Sequence, residues 1–268
     1  MISFSKEPFD MTRPLVHTIL VSALAASFAL AQTANPKPPQ PKSQKELDAV
    51  QAIFQAPDPD SRIAAAKELV TKFADTDFKA TAFYIGAFSY QQKGDLENAI
   101  VWAEQALDAD PKFYAAQLMI ANALALRTKE FDLDREEKLG RAEKLAKDAI
   151  NVINAAPKPR PDITDEQWEA AKKDFIAQAH EAMGLAALVR KKYDVCASEL
   201  STAASLASQQ DPSLMVRLAN CQLQAGKPDD ALALLDKVLN DPNVSGQIKS
   251  VAAQLKVDAN KKKAEAAK

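Results

Sequence analysis

The residues best equipped for chemistry in this chain are few. There are two histidines, and one of them, His17, lies in an N-terminal apolar run. That leaves His180, too little for a multi-histidine metal site and one candidate at most for activating a nucleophile. The acidic stretch at 132–137, Asp132-Leu133-Asp134-Arg135-Glu136-Glu137, lacks the central glycine of a calcium loop. It reads better as carboxylates placed at the positive end of a helix. No glycine-rich phosphate loop occurs. Acids are spread along the whole chain, and nothing singles out a pair for general acid–base work. The chain is therefore read as not an enzyme, with no catalytic residue, no metal and no cofactor. An enzyme with an unrecognised acid pair is the remote alternative.

Cys196 and Cys221 have two readings. In an oxidising compartment they can form a disulfide, which stabilises by roughly 3 kcal/mol through the restricted unfolded chain. Reduced, each is a small apolar filler.

The net charge is −2, with lysines and acids interleaved. A nucleic-acid surface needs a basic stripe to displace counterions, so no nucleic-acid partner is expected.

The N-terminus reads as a targeting signal. Arg13 precedes an apolar run at 15–31 that ends in Ala29-Leu30-Ala31, an A-x-A site. Cleavage after Ala31 gives a mature chain from Gln32 and a periplasmic or secreted protein. Met11 is an alternative start. The run is short for a span and contains His17, Thr18 and Ser22. A membrane association arises only if the signal stays uncleaved, and no cysteine follows it to carry a lipid. Residues 32–42 hold four prolines, Pro36, Pro38, Pro39 and Pro41, and read as an extended spacer.

The rest, 43–268, carries the elements that must position any site. Glycine is scarce, at 6 residues, and Ala, Leu, Lys and Glu dominate long stretches, so an all-α fold is expected. The clearest unit is 80–113. Two amphipathic segments flank Gln92-Lys93-Gly94-Asp95, and Pro111 closes the unit. Gly94 ends the first helix and Asp95 caps the second. Further units follow at 114–156, 162–211 and 212–245, with a degenerate opening unit at 43–79. Thr164-Asp165-Glu166-Gln167 reads as a capping box opening a long helix to about Arg190. The segment at 246–268 presents Ile248, Val251, Ala252, Leu255 and Ala259 on one stripe before a charged tail. Helical arrays need such a terminal helix to cover their last face.

The unit at 80–113 resembles a tetratricopeptide repeat. Gly86, Ala87, Tyr90, Ala99, Ala106 and Pro111 stand at the family's positions, with Phe83 in place of its usual tryptophan. Laid over this unit, the others give three columns of small residues. They read Ala87, Ala121, Gly184, Ala219; then Ala99, Ala142, Cys196, Ala231; then Ala106, Ala149, Ala203, Val238. Helices cross closely only where the side chain is nearly absent. Gly94 and Gly226 mark the turns, and Lys191 takes that place between them. Two departures interrupt the array: a charged connector at 127–140 and the proline loop at 156–161. His180 falls where the family places a packing residue, and reads as a packed histidine.

The resemblance implies a right-handed α-solenoid and a scaffold that binds a protein or peptide along its concave face. It assigns Tyr84, Phe88 and Gln91, then Leu118, Asn122 and Ala125, then Glu181, Leu185 and Leu188, then Val216, Arg217, Asn220 and Gln224 to that groove. The asparagines offer a donor and an acceptor to a peptide backbone. The family's carboxylate-gripping lysines are missing. The extended helix carrying Trp168 is either an outer docking surface or self-packing. Two non-catalytic roles follow: an adaptor in a bacterial cell envelope, or a structural subunit docking through Trp168. Self-association through the repeats fits either role.

Overall fold

The computed structural model describes residues 39–266. The targeting run and cleavage site, and most of the proline spacer, lie outside these residues. Eleven helices and no strand are found among them. They are α1 (Gln44–Gln55), α2 (Pro59–Lys72), α3 (Lys79–Gln92), α4 (Leu96–Ala109), α5 (Tyr114–Arg127) and α6 (Arg135–Ala155). There follow α7 (Asp165–Val189), α8 (Tyr193–Leu206), α9 (Pro212–Gln224), α10 (Pro228–Asn240) and α11 (Gly246–Ala266).

Local chemistry sets the helix boundaries. Ser43, Asp58, Asp95 and Asp211 each accept a hydrogen bond from a first-turn backbone N–H. Proline stands in the first turn of α2, α9 and α10, where its missing N–H costs nothing. The Thr164 hydroxyl accepts from the Gln167 amide, and the Gln167 side chain accepts from the Thr164 amide, completing a capping box. Three helix ends share a left-handed turn residue: Gly94 at φ 76°, Gly226 at φ 77° and Lys191 at φ 58°.

Each helix packs on its neighbours in sequence, and the first helices of the pairs also touch one another, α1 on α3, α5 on α7 and α9 on α11. The result is an all-helical repeat solenoid. All twelve residues of the three small columns are buried. The closest approaches are severe. A Cβ on Gly86 would run into the Trp102 ring, and one on Gly184 would lie 2.6 Å from Leu200. Trp102 thereby supplies from α4 the indole that Phe83 does not, and packs edge-on to Phe83 at 5.7 Å between ring centroids. At the C-terminal end Ile248, Val251, Ala252, Leu255 and Ala259 of α11 pack against Met215, Leu235 and Val238.

The charged connector is shorter than the sequence suggests. Helix α6 begins at Arg135, inside the expected connector, so the irregular part is 128–134. Glu136 and Glu137 fill the first turn of α6, where carboxylates meet the helix dipole, and Lys138 pairs with Asp134 at 2.9 Å. The proline loop folds back on α7. Trp168 is 4% exposed, its Nε1 donates to the Ala156 carbonyl at 3.4 Å, and Ile163, Ala171 and Phe175 surround it. Its indole is internal packing and does not project as a docking surface.

Candidate functional site

The first helices carry the side chains assigned to a groove, and the structure divides those side chains into three groups. Leu118, Ala125, Leu185 and Val216 are buried. Leu185 packs against Ala125 and Ala142, whose small side chains let α7 settle onto α5 and α6. These four are interior.

A second group is committed to partners within the protein. The Asn122 amide donates to the Leu118 carbonyl at 3.0 Å and to the Gln178 carbonyl at 3.3 Å, tying α5 to α7. Glu181 and Arg217 form an ion pair at 2.9 Å between α7 and α9. Burial pushes the Glu181 carboxyl above its usual range, against the opposing pull of Arg217. One residue away, His180 Nδ1 lies 2.6 Å from Glu199 Oε2, so its ring is held between α7 and α8. Tyr84 is half-buried and tilts onto Phe113 with centroids 5.4 Å apart. Burial pushes its phenol up to about 12.

The third group is open. Phe88 is half-buried and Gln91 exposed on α3. Leu188, Asn220 and Gln224 line one concavity of ≈ 350 Å³, together with Glu130, Val189, Lys191 and Tyr193. Its walls are the end of α7 with its turn, the start of α8, the middle and end of α9, and the 128–134 connector. Lys191 Nζ pairs with Glu130 at 2.6 Å across it. Lys262 of α11 donates to the Gln224 side chain at 3.2 Å and to the Leu223 carbonyl at 3.3 Å, bringing a cation to the far edge. Leu188, Val189 and Tyr193 supply its apolar and aromatic area. The rim offers amides, a carboxylate and ammonium groups, the mixture that receives a peptide's side chains and backbone.

Glu130, Val189, Lys191 and Tyr193 are additions to the sequence-based set. Lys191 had a signal, since it stands in a glycine column, where a lysine is anomalous. Glu130 and Tyr193 had none, because their place depends on how the connector meets the next turn.

Behind the concavity, Cys196 on α8 and Cys221 on α9 are joined in a disulfide with Cα atoms 5.8 Å apart, both fully buried. The bond locks together two helices that help form the concavity. No cluster of three or more His, Cys, Asp or Glu side chains suited to a metal occurs among the described residues. Nor is any described helix long and apolar enough to cross a membrane.

Residues 193–255, spanning α8 to the middle of α11, match the family model for the tetratricopeptide repeat. A thermophilic tetratricopeptide-repeat protein from Thermus thermophilus has a similar fold. Its TM-score is 0.51 at 19% identity, over 80% of this chain and 98% of that one. A tetratricopeptide repeat protein from Parabacteroides merdae aligns with TM-score 0.42 at 15% identity, over 84% of this chain and 93% of that one. No curated protein matches the sequence.

Proposed function

We propose that this chain, a tetratricopeptide-repeat protein, is a non-catalytic adaptor that holds a segment of another protein against the face lined by its first helices. Repeats of this type are in general protein-binding scaffolds. The observation that carries the finer reading is the open concavity of Leu188, Lys191, Tyr193, Asn220 and Gln224. It joins apolar and aromatic area to the amides of Asn220 and Gln224, the second of which already accepts from Lys262 of α11. The other polar groove positions, Asn122, Glu181 and Arg217, are already paired, and serve to hold α5, α7 and α9 in place.

The setting we propose is a bacterial cell envelope. Two features support it. One is the apolar run with its Ala29-Leu30-Ala31 site. The other is the Cys196–Cys221 disulfide, a bond that persists in oxidising compartments. Fractionating the native host and sequencing the mature N-terminus tests this: a chain starting at Gln32 outside the cytoplasm is expected. A cytoplasmic chain with its N-terminus intact would end the export reading.

For the binding site, the test is in-cell crosslinking of the wild type to identify the partner, followed by affinity measurements on Asn220→Ala/Gln224→Ala. Losing these two amides should weaken the partner by about tenfold or more. Unchanged affinity in a folded variant would rule out the concavity as the binding site.

A further inference from the structure

The first helices do not pack evenly along the array. Helices α1 and α3, α5 and α7, and α9 and α11 touch directly, while α7 and α9 make no comparable contact. The α3–α5 pair is bridged by an aromatic contact instead, Tyr84 on Phe113. The apolar cores divide at the α7–α9 joint. Ala179, Ala182 and Met183 of α7 belong to the cluster built on α5 and α6. Met215, Val216 and Ala219 of α9 belong to the one built with α10 and α11. The two are linked on the α8 side, where Leu200 and Ala203 share a cluster with Leu214 and Leu218 and the Cys196–Cys221 disulfide crosses. The joint is thus packed and covalently tied on one side. On the other, Glu181 and Arg217 form the ion pair that spans α7 and α9.

The concavity lies over the same gap. Leu188 stands about two helical turns beyond Glu181, and Gln224 about two turns beyond Arg217. Residues at that spacing share a helix face, so the pair and these two walls occupy the facing sides of α7 and α9.

Both partners are partly withdrawn from water, with side chains 26% and 18% exposed. Burial raises the Glu181 carboxyl above its ordinary value of 4.5, Arg217 pulls it back down, and Asp211 at the start of α9 pushes it up. Arg217 therefore offsets part of the cost of keeping a carboxylate there. The other charged groups around α7 are engaged elsewhere. His180 meets Glu199 toward α8, and Arg190 holds Glu136 and Glu143 toward α6. Toward α5, Tyr114 packs on Phe175 and Asn122 bonds the Gln178 carbonyl. Without Arg217, a charged Glu181 has two escapes: taking up a proton, or reaching water through the α7–α9 gap.

We infer that Arg217 is a positioning residue for the concavity: it holds α7 and α9 at their observed separation, and without it the joint opens about its α8–α9 side. The inference deepens the adaptor reading, and rests on it only for the concavity's role as the binding site.

The test is made on the purified protein alone, so its outcome is separate from that of the Asn220→Ala/Gln224→Ala affinity measurement. Nitroxide labels at positions 101 and 257 span the joint, and labels at 101 and 195 lie on one side of it; all three side chains are exposed. Distances are measured by electron paramagnetic resonance. At about pH 8, where an exposed carboxyl is ionised, Arg217→Gln should change the 101–257 distance by about 2 Å or more. The 101–195 distance should stay fixed. Lowering the pH to 4.5, the ordinary glutamate value, should return Arg217→Gln to the wild-type distance, because a protonated Glu181 needs no counter-charge. Arg217→Lys and Glu181→Gln/Arg217→Gln should keep the wild-type distance at both pH values. A wild-type distance in Arg217→Gln at about pH 8 would overturn the inference. So would a change that persists at pH 4.5, or one that also appears in the double variant, since either would be independent of Glu181's charge. Unfolding of Arg217→Gln while the double variant stays folded would overturn it too, by showing that the charge acts on the whole fold and not on the joint.

Discussion

Gly86 lies directly beneath the Trp102 indole, so close that a single added methyl would occupy the ring's own space. The α3–α4 crossing exists at its observed separation because that position has no side chain. Gly86→Ala should destabilise by about 2 kcal/mol, an overpacking cost of roughly 3 less the roughly 1 gained when alanine replaces glycine in a helix. Trp102→Leu in the same background should recover part of the loss by opening room. Urea unfolding of the single and double variants checks this. An unchanged midpoint for Gly86→Ala would show that the helices are not in close contact there.

Lys191 takes the left-handed turn that glycine takes at Gly94 and Gly226. A side chain in that conformation is strained, so Lys191→Gly should stabilise by about 1 kcal/mol, less the small worth of the exposed Lys191–Glu130 pair. Gly94→Ala and Gly226→Ala should each cost about 1 kcal/mol. Equilibrium unfolding of the three variants should order them in that way.

The Cys196–Cys221 disulfide closes a loop between α8 and α9. Cys196→Ala/Cys221→Ala should lower stability by about 3 kcal/mol, the loop-closure effect on the unfolded chain. Alkylation of unreduced protein isolated from its host and unfolded in denaturant should label neither cysteine. Two labelled thiols would contradict the disulfide in the native protein.

Two helix-capping acids set an acid dependence. Hydrogen bonds from the first turn hold Asp58 and Asp95 below the usual carboxylate value of 3.8, Asp58 through Ser61 and Asp95 through Asn98. A depressed carboxyl stabilises the fold above its unfolded pKa and loses that contribution as pH falls through its folded value. Stability should therefore decline from about pH 4 downwards. In Asp58→Asn/Asp95→Asn the caps persist but no longer titrate, so the acid limb should be shallower. Urea midpoints between about pH 2 and 6 measure this; identical limbs would assign the acid dependence to other groups.

The fold was legible in the sequence wherever close packing forbids a side chain. The columns through Ala87, Ala99 and Ala106 mark the helix crossings because only small residues permit them, and every member is buried. Caps were legible too, since Thr164 and Gln167 need only each other and the backbone. The binding face was less so. Leu118 and Leu185 hold groove positions by repeat register, yet neighbouring helices fill the space around them. Trp168 gave no sign of its direction, because a loop folding back to bury an indole is a tertiary event.

The central claim, that a protein segment is held against the first-helix face, is tested most directly by site-specific photo-crosslinking in the native host. A photoreactive amino acid is placed at position 224, on the concavity, or at position 101, exposed on α4 outside it. One discrete protein adduct is expected from 224, lost on Asn220→Ala, and no adduct from 101. The same adduct from 101 with none from 224 would contradict the claim.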